Sequence, residues 1–204
     1  MTLAQTRLDE LWDFSDAAGS EARLRAAAAD ETDAAARAEL ETQVARALGL
    51  QERCDEADAV LDAVAIEDAA VAARAALERG RVRNSAGDPE AAVPYFLAAV
   101  DAASGAGLTF LQVDALHMLA IAEPEQAEEW TSAALGALEG AADPRTLRWN
   151  VSLHNNAGWR LLDAGRPDEA VTSFEAARDA ATRWGTPQQV QWADEALAEA
   201  RAAL

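Results

Sequence analysis

Small and apolar residues recur along this chain at the spacing of one helix face. The clearest segment begins at Pro167, where Ala170, Val171, Phe174 and Ala177 form an i, i+1, i+4, i+7 stripe. This spacing places side chains on one side of an α-helix. Proline is favoured at the first helical position because its missing N–H needs no partner there. The pattern therefore predicts an amphipathic helix that starts at Pro167 and buries this stripe.

A partner helix is predicted just before it, over residues 151–162, with the turn Gly165-Arg166-Pro167 between the two. The same arrangement recurs upstream, where Asp88 is expected to cap a helix that begins at Pro89. Pro94 falls early in that helix, so a kink is expected rather than a break. The chain is thus predicted to consist of helix pairs.

One alanine occupies the same place in five successive segments: Ala22, Ala57, Ala92, Ala127 and Ala170. The first four are 35 residues apart and the last step is 43. Proline stands three residues before the last three of them, at Pro89, Pro124 and Pro167. Self-similarity at such a period indicates a helical repeat array. The longer last step indicates an insertion, either in the loop at residues 140–145 or as a longer helix through Trp149.

These boundaries predict a single all-α domain over residues 1–204, an α-solenoid of antiparallel helix pairs. It comprises a diverged N-terminal pair at 1–33, with its second helix starting near Gly19, and four repeats at 38–71, 73–106, 108–141 and 151–184. A capping helix is predicted at 187–204. Its acidic face, with Asp194, Glu195 and Glu199, suits the solvent-facing end of an array.

The repeats resemble the tetratricopeptide repeat (TPR) family, whose unit of about 34 residues pairs two helices with small and large residues at fixed places. The unit near 151 has Gly158, Ala170 and Phe174 at the Gly, Ala and large apolar positions, although His154 stands where Trp is usual. The unit near 73 has Gly80, Ala92 and Phe96, with Arg83 in place of an aromatic residue.

The resemblance implies a right-handed superhelix whose first helices line a groove that receives peptides. Gly and Ala are expected where the two helices of a pair cross, and Phe96 and Phe174 are expected to fill the space between pairs. The Lys/Asn/Arg clamp with which some family members hold a carboxylate tail is not reproduced here, so chaperone-tail binding is not expected.

Charge narrows the range of partners. The chain has 36 acidic residues and 17 basic ones, all arginine, for a net charge of −19. Such a surface disfavours nucleic acid and anionic membranes as partners. Cys54 is the only cysteine, so no disulfide forms within the chain. The sequence has no apolar leader segment, and its longest apolar run, residues 91–100, is too short to span a membrane. A cytoplasmic protein is therefore expected.

Three arginines are predicted to share the groove: Arg46, Arg74 and Arg81. Arg74 and Arg81 are seven residues apart and lie on one helix face, and Arg46 is 35 residues before Arg81. Guanidinium groups bind carboxylates bidentately, so the cluster is a candidate binding site for an acidic peptide motif. The alternative is that these arginines are surface charges balanced by nearby acids.

The other half of the predicted groove is less charged. Leu116 and Trp159 are expected to form an apolar floor, while Asn155 and Asn156 are placed to bond a peptide backbone. Asn84 is also predicted to line the groove. The alternative for the leucines of this wall is burial in the core. Four tryptophans crowd the last quarter and form either core or a homodimer interface: Trp149, Trp159, Trp184 and Trp192.

We expect no catalytic site, no metal site and no cofactor. His117 and His154 match no metal-ligand spacing, and no nucleotide-binding loop is present. The predicted function is a non-enzymatic scaffold that binds a protein or peptide, acidic or amphiphilic. The alternatives are a peptide- or small-ligand-sensing regulatory protein that acts through a partner, and a homodimeric structural module.

Overall fold

The computed structural model describes residue 3, residues 5–66 and residues 68–204. These residues form helices joined by short turns, and no strand occurs among them. The α-helices are α1 Gln5–Leu11, α2 Ala17–Asp30, α3 Ala34–Gly49, α4 Cys54–Ala63, α5 Ala69–Ser85, α6 Pro89–Gly105, α7 Thr109–Ala122, α8 Ala127–Ala137, α9 Pro144–Leu147, α10 Trp149–Asp163, α11 Pro167–Trp184 and α12 Pro187–Ala202.

The chain divides into two compact units, Met1–Pro124 and Glu125–Leu204. In the first unit α2 packs on α3, α5 packs on α6, and α3 and α7 both pack on α5. In the second unit α10 packs on α11 and α11 packs on α12. The predicted all-α class is confirmed, and helices that follow one another in sequence pack together as in a helical repeat. No helix in the described part of the chain is long and apolar enough to cross a membrane.

Helices α6 and α11 start at their predicted signals. Asp88 accepts a hydrogen bond from Ala91 N at 3.0 Å, and Pro89 is the first residue of α6. Pro167 likewise begins α11, and α6 continues through Pro94 as predicted. Pro124 differs, because it opens a 3₁₀ turn, Pro124–Gln126, and α8 begins only at Ala127.

Phe96 and Phe174 each pack against a glycine of the preceding helix. A Cβ atom placed on Gly80 would lie 2.4 Å from Phe96 Cε1, and one on Gly158 would lie 2.6 Å from Phe174 Cε1. Both rings are fully buried. The expected small residues at the helix crossings are therefore confirmed, since any side chain at either glycine would displace the ring. These contacts lie within each pair, whereas the two rings were expected to fill the space between pairs.

The alanine spacing holds for four of its five positions. Ala57, Ala92, Ala127 and Ala170 are buried, whereas Ala22 is exposed. Helix α2 begins at Ala17, before the predicted start near Gly19, because Asp16 caps it by accepting a bond from Gly19 N at 2.9 Å. The residues that α2 buries are Ser20, Glu21, Leu24 and Ala28. The register predicted for the N-terminal pair was therefore wrong.

The 43-residue step is explained by a short helix. Asp143 caps α9 by accepting bonds from Arg145 N and Thr146 N, and α10 begins as a separate helix at Trp149. The inserted residues therefore form a loop and α9 rather than lengthening α10. At the C-terminus, Thr186 and Gln189 form a capping box that begins the predicted last helix, α12.

Candidate functional site

Charged side chains gather on the neighbouring helices α3, α5 and α7 of the first unit. Residues 39 and 46 share a face of α3 because they are seven apart, and residues 74 and 81 share the equivalent face of α5. Direct contacts link these residues to one another and to α7. This region is called the charged face below, and its members are Glu39, Arg46, Arg74, Glu78, Arg81 and Asp114.

Arg74 lies in the interior of the charged face. Its Nε donates to Glu39 Oε2 at 2.8 Å, and its Nη2 donates to Gln5 Oε1 at 2.7 Å. The side chains of Arg74 and Glu39 are 6% and 0% exposed. The prediction that Arg74 lines an open groove was wrong, because Gln5 and Glu39 cover its guanidinium, which satisfies a buried carboxylate between α3 and α5.

Arg46 and Arg81 are neighbours, as the 35-residue offset predicted. Arg81 Nη1 lies 2.7 Å from Glu78 Oε1, and Arg46 Nη1 lies 3.8 Å from the same oxygen. Arg81 also donates to Asp114 of α7. Burial and the charge of Arg81 lower the pKa of Arg46, against the opposing effect of Glu78. Arg46 is therefore the more weakly compensated of the two cations, and 26% of its side chain is exposed.

Burial alone would raise the pKa of Asp114, but the nearby charges of Arg81 and Arg46 outweigh it and hold that pKa below its ordinary value. A carboxyl with a depressed pKa contributes stability above its unfolded pKa of 3.8, and this contribution is lost as pH falls through the folded value. Asp114→Asn is therefore expected to lower the free energy of unfolding at pH 7 by about 1–3 kcal/mol. The difference from wild type should shrink below about pH 4.

Urea unfolding at a series of pH values between 2 and 7 checks this expectation. Asp101→Asn, at an exposed position of α6, is the control and should follow the wild-type curve. A stability difference for Asp114→Asn that stays constant over the whole range would contradict an ionised, paired Asp114.

A cleft of about 170 Å³ adjoins the two arginines. Arg46 and Arg81 flank its polar side, and Leu50, Val82 and Met118 supply its apolar wall. Glu78 also lines it; this side chain is 1% exposed, and its Oε2 has no hydrogen-bond partner. The cleft thus combines an apolar surface, a partly exposed cation and a buried acceptor that lacks a donor.

Two aromatic rings cover Arg46 from the N-terminal side. Trp12 and Phe14 stack with ring centroids 5.0 Å apart and planes 7° from parallel. The Arg46 guanidinium carbon lies 5.7 Å from the Trp12 ring and 5.4 Å from the Phe14 ring, within cation–π range. Phe14 remains 66% exposed. Sequence reasoning missed both rings because residues 12–14 precede the first segment that fits the repeat.

Other predicted groove residues are placed differently. Leu116 is 4% exposed within α7, so its assignment to a groove floor was wrong; its side chain belongs to the interior. Asn84 is half-buried in the last turn of α5, where its carbonyl oxygen accepts a bond from Gly87 N at 3.1 Å.

The remaining predicted residues belong to the second unit, on α10. Asn155 is half-buried and Asn156 is exposed. Trp159 is half-buried and meets Phe174 edge-on, with ring centroids 5.2 Å apart, so much of its indole contributes to the core. Among the four C-terminal tryptophans, Trp192 alone is largely exposed, at 58%.

The second unit has its own cavity, of about 230 Å³, between α10 and α11. His154 lines it, and burial lowers the pKa of this imidazole, so it is neutral at pH 7. Arg183 lies over the Trp184 ring at 5.9 Å on the same cavity wall. In the described part of the chain, no three His, Cys, Asp or Glu side chains are arranged to hold a metal ion.

Comparison with known proteins assigns no family to this arrangement. No protein-family model matches the chain. No curated protein matches it.

Proposed function

We propose that this protein is a non-enzymatic scaffold of the TPR type, a right-handed solenoid that binds a peptide segment of a partner protein. The observation that supports the proposal is the cleft beside Arg46, where an apolar wall meets a buried acceptor without a donor. Peptide sites of this kind combine a pocket for one side chain with hydrogen bonds to the backbone or to a side chain.

The size of the cleft favours a peptide over a free metabolite. At about 170 Å³ it is smaller than the pockets of about 300–1,000 Å³ that hold drug-sized ligands. It accommodates one side chain of a longer segment. A sensor of small molecules is therefore the less favoured alternative.

The charges favour an amphiphilic segment over a purely acidic one. Three arginines and three carboxylates alternate on the charged face, so its formal charge is balanced. An acidic group on the ligand has Arg46 as its partner, since Arg74 and Arg81 already bind buried carboxylates. An N–H or O–H donor on the ligand would satisfy Glu78 Oε2, and an apolar side chain would contact Leu50 and Val82.

Selection from a random peptide library against the full chain tests the proposal. Selected peptides should bind the wild-type protein, and Leu50→Glu should weaken that binding about tenfold or more by placing a charge on the apolar wall. Leu50 is 53% exposed, so folding should tolerate the change. The control is Leu97→Glu, at a 39% exposed leucine of α6 outside the cleft, which should leave affinity unchanged.

Failure to enrich any peptide, or equal affinity of the selected peptides for Leu50→Glu and wild type, would refute this site. The homodimer alternative depends on Trp192, and a single exposed aromatic residue is ordinary for a protein surface. A protein or peptide partner, rather than nucleic acid or a membrane, and a cytoplasmic location remain part of the proposal.

A further inference from the structure

The chain's own N-terminus makes contacts on the charged face. Leu3 N donates to Glu39 Oε1 at 2.7 Å, and Gln5 Oε1 accepts from Arg74 Nη2. Trp12 Nε1 donates to Gln43 Oε1 of α3 at 3.2 Å. Leu3 and residues 5–14 are called the N-terminal arm below. Of the side chains that it contacts, Arg74 was predicted to line a peptide groove, and Glu39 and Gln43 lie on the neighbouring helix α3.

Apolar contacts accompany these hydrogen bonds. Leu3 and Leu8 are buried in one cluster with Leu40 and Val44 of α3. Trp12 and Phe14 extend the contact to Arg46, which also lines the cleft. The arm therefore presents apolar side chains, a carboxamide acceptor and an indole donor to one surface, as a bound amphipathic peptide does.

Helix α1, the helical part of the arm, packs less extensively than the other helices. Helix α1 has seven residues, and a helix of that length is marginal without tertiary contacts. It packs against α2 much less extensively than α5 packs against α6. Its opposite side, with Thr6, Asp9 and Glu10, is exposed. Such an element belongs to the low-stability end of a fold, where local opening is easiest.

We propose that the N-terminal arm is the resident ligand of the charged face, and that the partner segment is a short amphipathic helix that displaces it. This inference rests on the proposed function and specifies its ligand. The partner helix would present leucines at the positions of Leu3 and Leu8, an acceptor to Arg74 and an aromatic donor to Gln43. Until it binds, the arm shields the buried Glu39–Arg74 pair.

A synthetic peptide of residues 1–15 with a fluorescent label, titrated into the full chain, tests the inference. In wild type the resident arm competes, so the apparent affinity falls in proportion to the fraction of protein whose surface is free. Leu8→Ala in the full chain weakens the resident arm only and should tighten binding of the wild-type peptide about tenfold or more. The peptides selected from the library should gain affinity for Leu8→Ala in the same way.

Changes in the peptide identify the contacts without altering the protein. The protein in this comparison is the full chain with the Leu8→Ala substitution. A peptide with Trp12→Ala should bind it roughly tenfold more weakly than the wild-type peptide does, because the changed peptide loses the hydrogen bond to Gln43 and the cation–π contact with Arg46. A Glu10→Gln peptide is the control and should bind equally, since Glu10 is exposed. Should Leu8→Ala reduce helix content, the full-chain variant Gln5→Ala/Trp12→Ala loosens the arm while both leucines remain.

Equal peptide affinity for wild type and both arm variants would overturn the inference. So would peptide binding that does not depend on Trp12, or a wild-type chain that dimerises by exchanging arms instead of binding a partner helix. If library peptides bind through Leu50 with equal affinity for wild type and the arm variants, the proposed function stands and the resident-ligand inference fails.

Discussion

Replacing Phe174 by alanine is expected to lower the free energy of unfolding of the second unit by about 3–5 kcal/mol. The ring is fully buried, and it fills a space that Gly158 leaves empty on the facing helix. The ring of Trp159 also contacts it, with the two ring planes 70° apart. Because a glycine cannot fill the vacated volume, the variant loses both the burial of the ring and the packing around it.

Urea unfolding followed by circular dichroism measures this loss, and hydrogen exchange of the amides of α10 and α11 locates it in the second unit. Trp192→Ala is the control, because it removes an exposed aromatic residue from the same unit and should change stability by less than about 0.5 kcal/mol. If the Phe174→Ala variant unfolded at the urea midpoint of the wild-type protein, the stability of α10 and α11 would not depend on this contact.

Replacing Arg74 by methionine is expected to destabilise the first unit by about 3–5 kcal/mol. Methionine keeps much of the packing of the arginine stem but leaves Glu39, whose side chain is fully buried, without its cation. A buried charge without a partner is far more costly than the loss of the pair itself. The double variant Glu39→Gln/Arg74→Met should therefore recover much of the lost stability.

The matched control is Arg79→Met on the same helix. Arg79 pairs with Asp62 at 2.8 Å, but 71% of the Asp62 side chain is exposed, so its loss should cost less than about 1 kcal/mol. Thermal and urea unfolding of the four proteins give the comparison. If Arg74→Met lowered the free energy of unfolding no more than Arg79→Met does, the Glu39–Arg74 pair would have no special role in joining α3 to α5.

Much of the fold was predictable because it depends on local signals and on small residues at repeated places. Capping by Asp88 and the prolines at 89 and 167 begin helices where expected. The packing of Phe96 against Gly80 follows from a repeated small–large pattern. The prediction failed at α2 because Asp16, outside the repeat pattern, determines where that helix starts. Periodicity alone did not reveal this competing cap.

The candidate site was less predictable because it depends on which side chains meet between helices. The 35-residue offset correctly placed Arg46 beside Arg81, but it did not show that Glu78 and Asp114 neutralise them. Leu116 was misassigned because a leucine on the first helix of a repeat fits the same sequence pattern whether its side chain faces the interior or a groove. Trp12 and Phe14 carried no repeat signal at all.

The ion pair between Glu39 and Arg74 joins two residues that are 35 positions apart and hold the same place in successive repeats. If either repeat were duplicated in tandem, the contact would bring two glutamates or two arginines together, which is unfavourable in a buried position. The two repeats are therefore complementary, and neither can be copied freely. Lengthening this array by gene duplication would require a compensating substitution at the new junction.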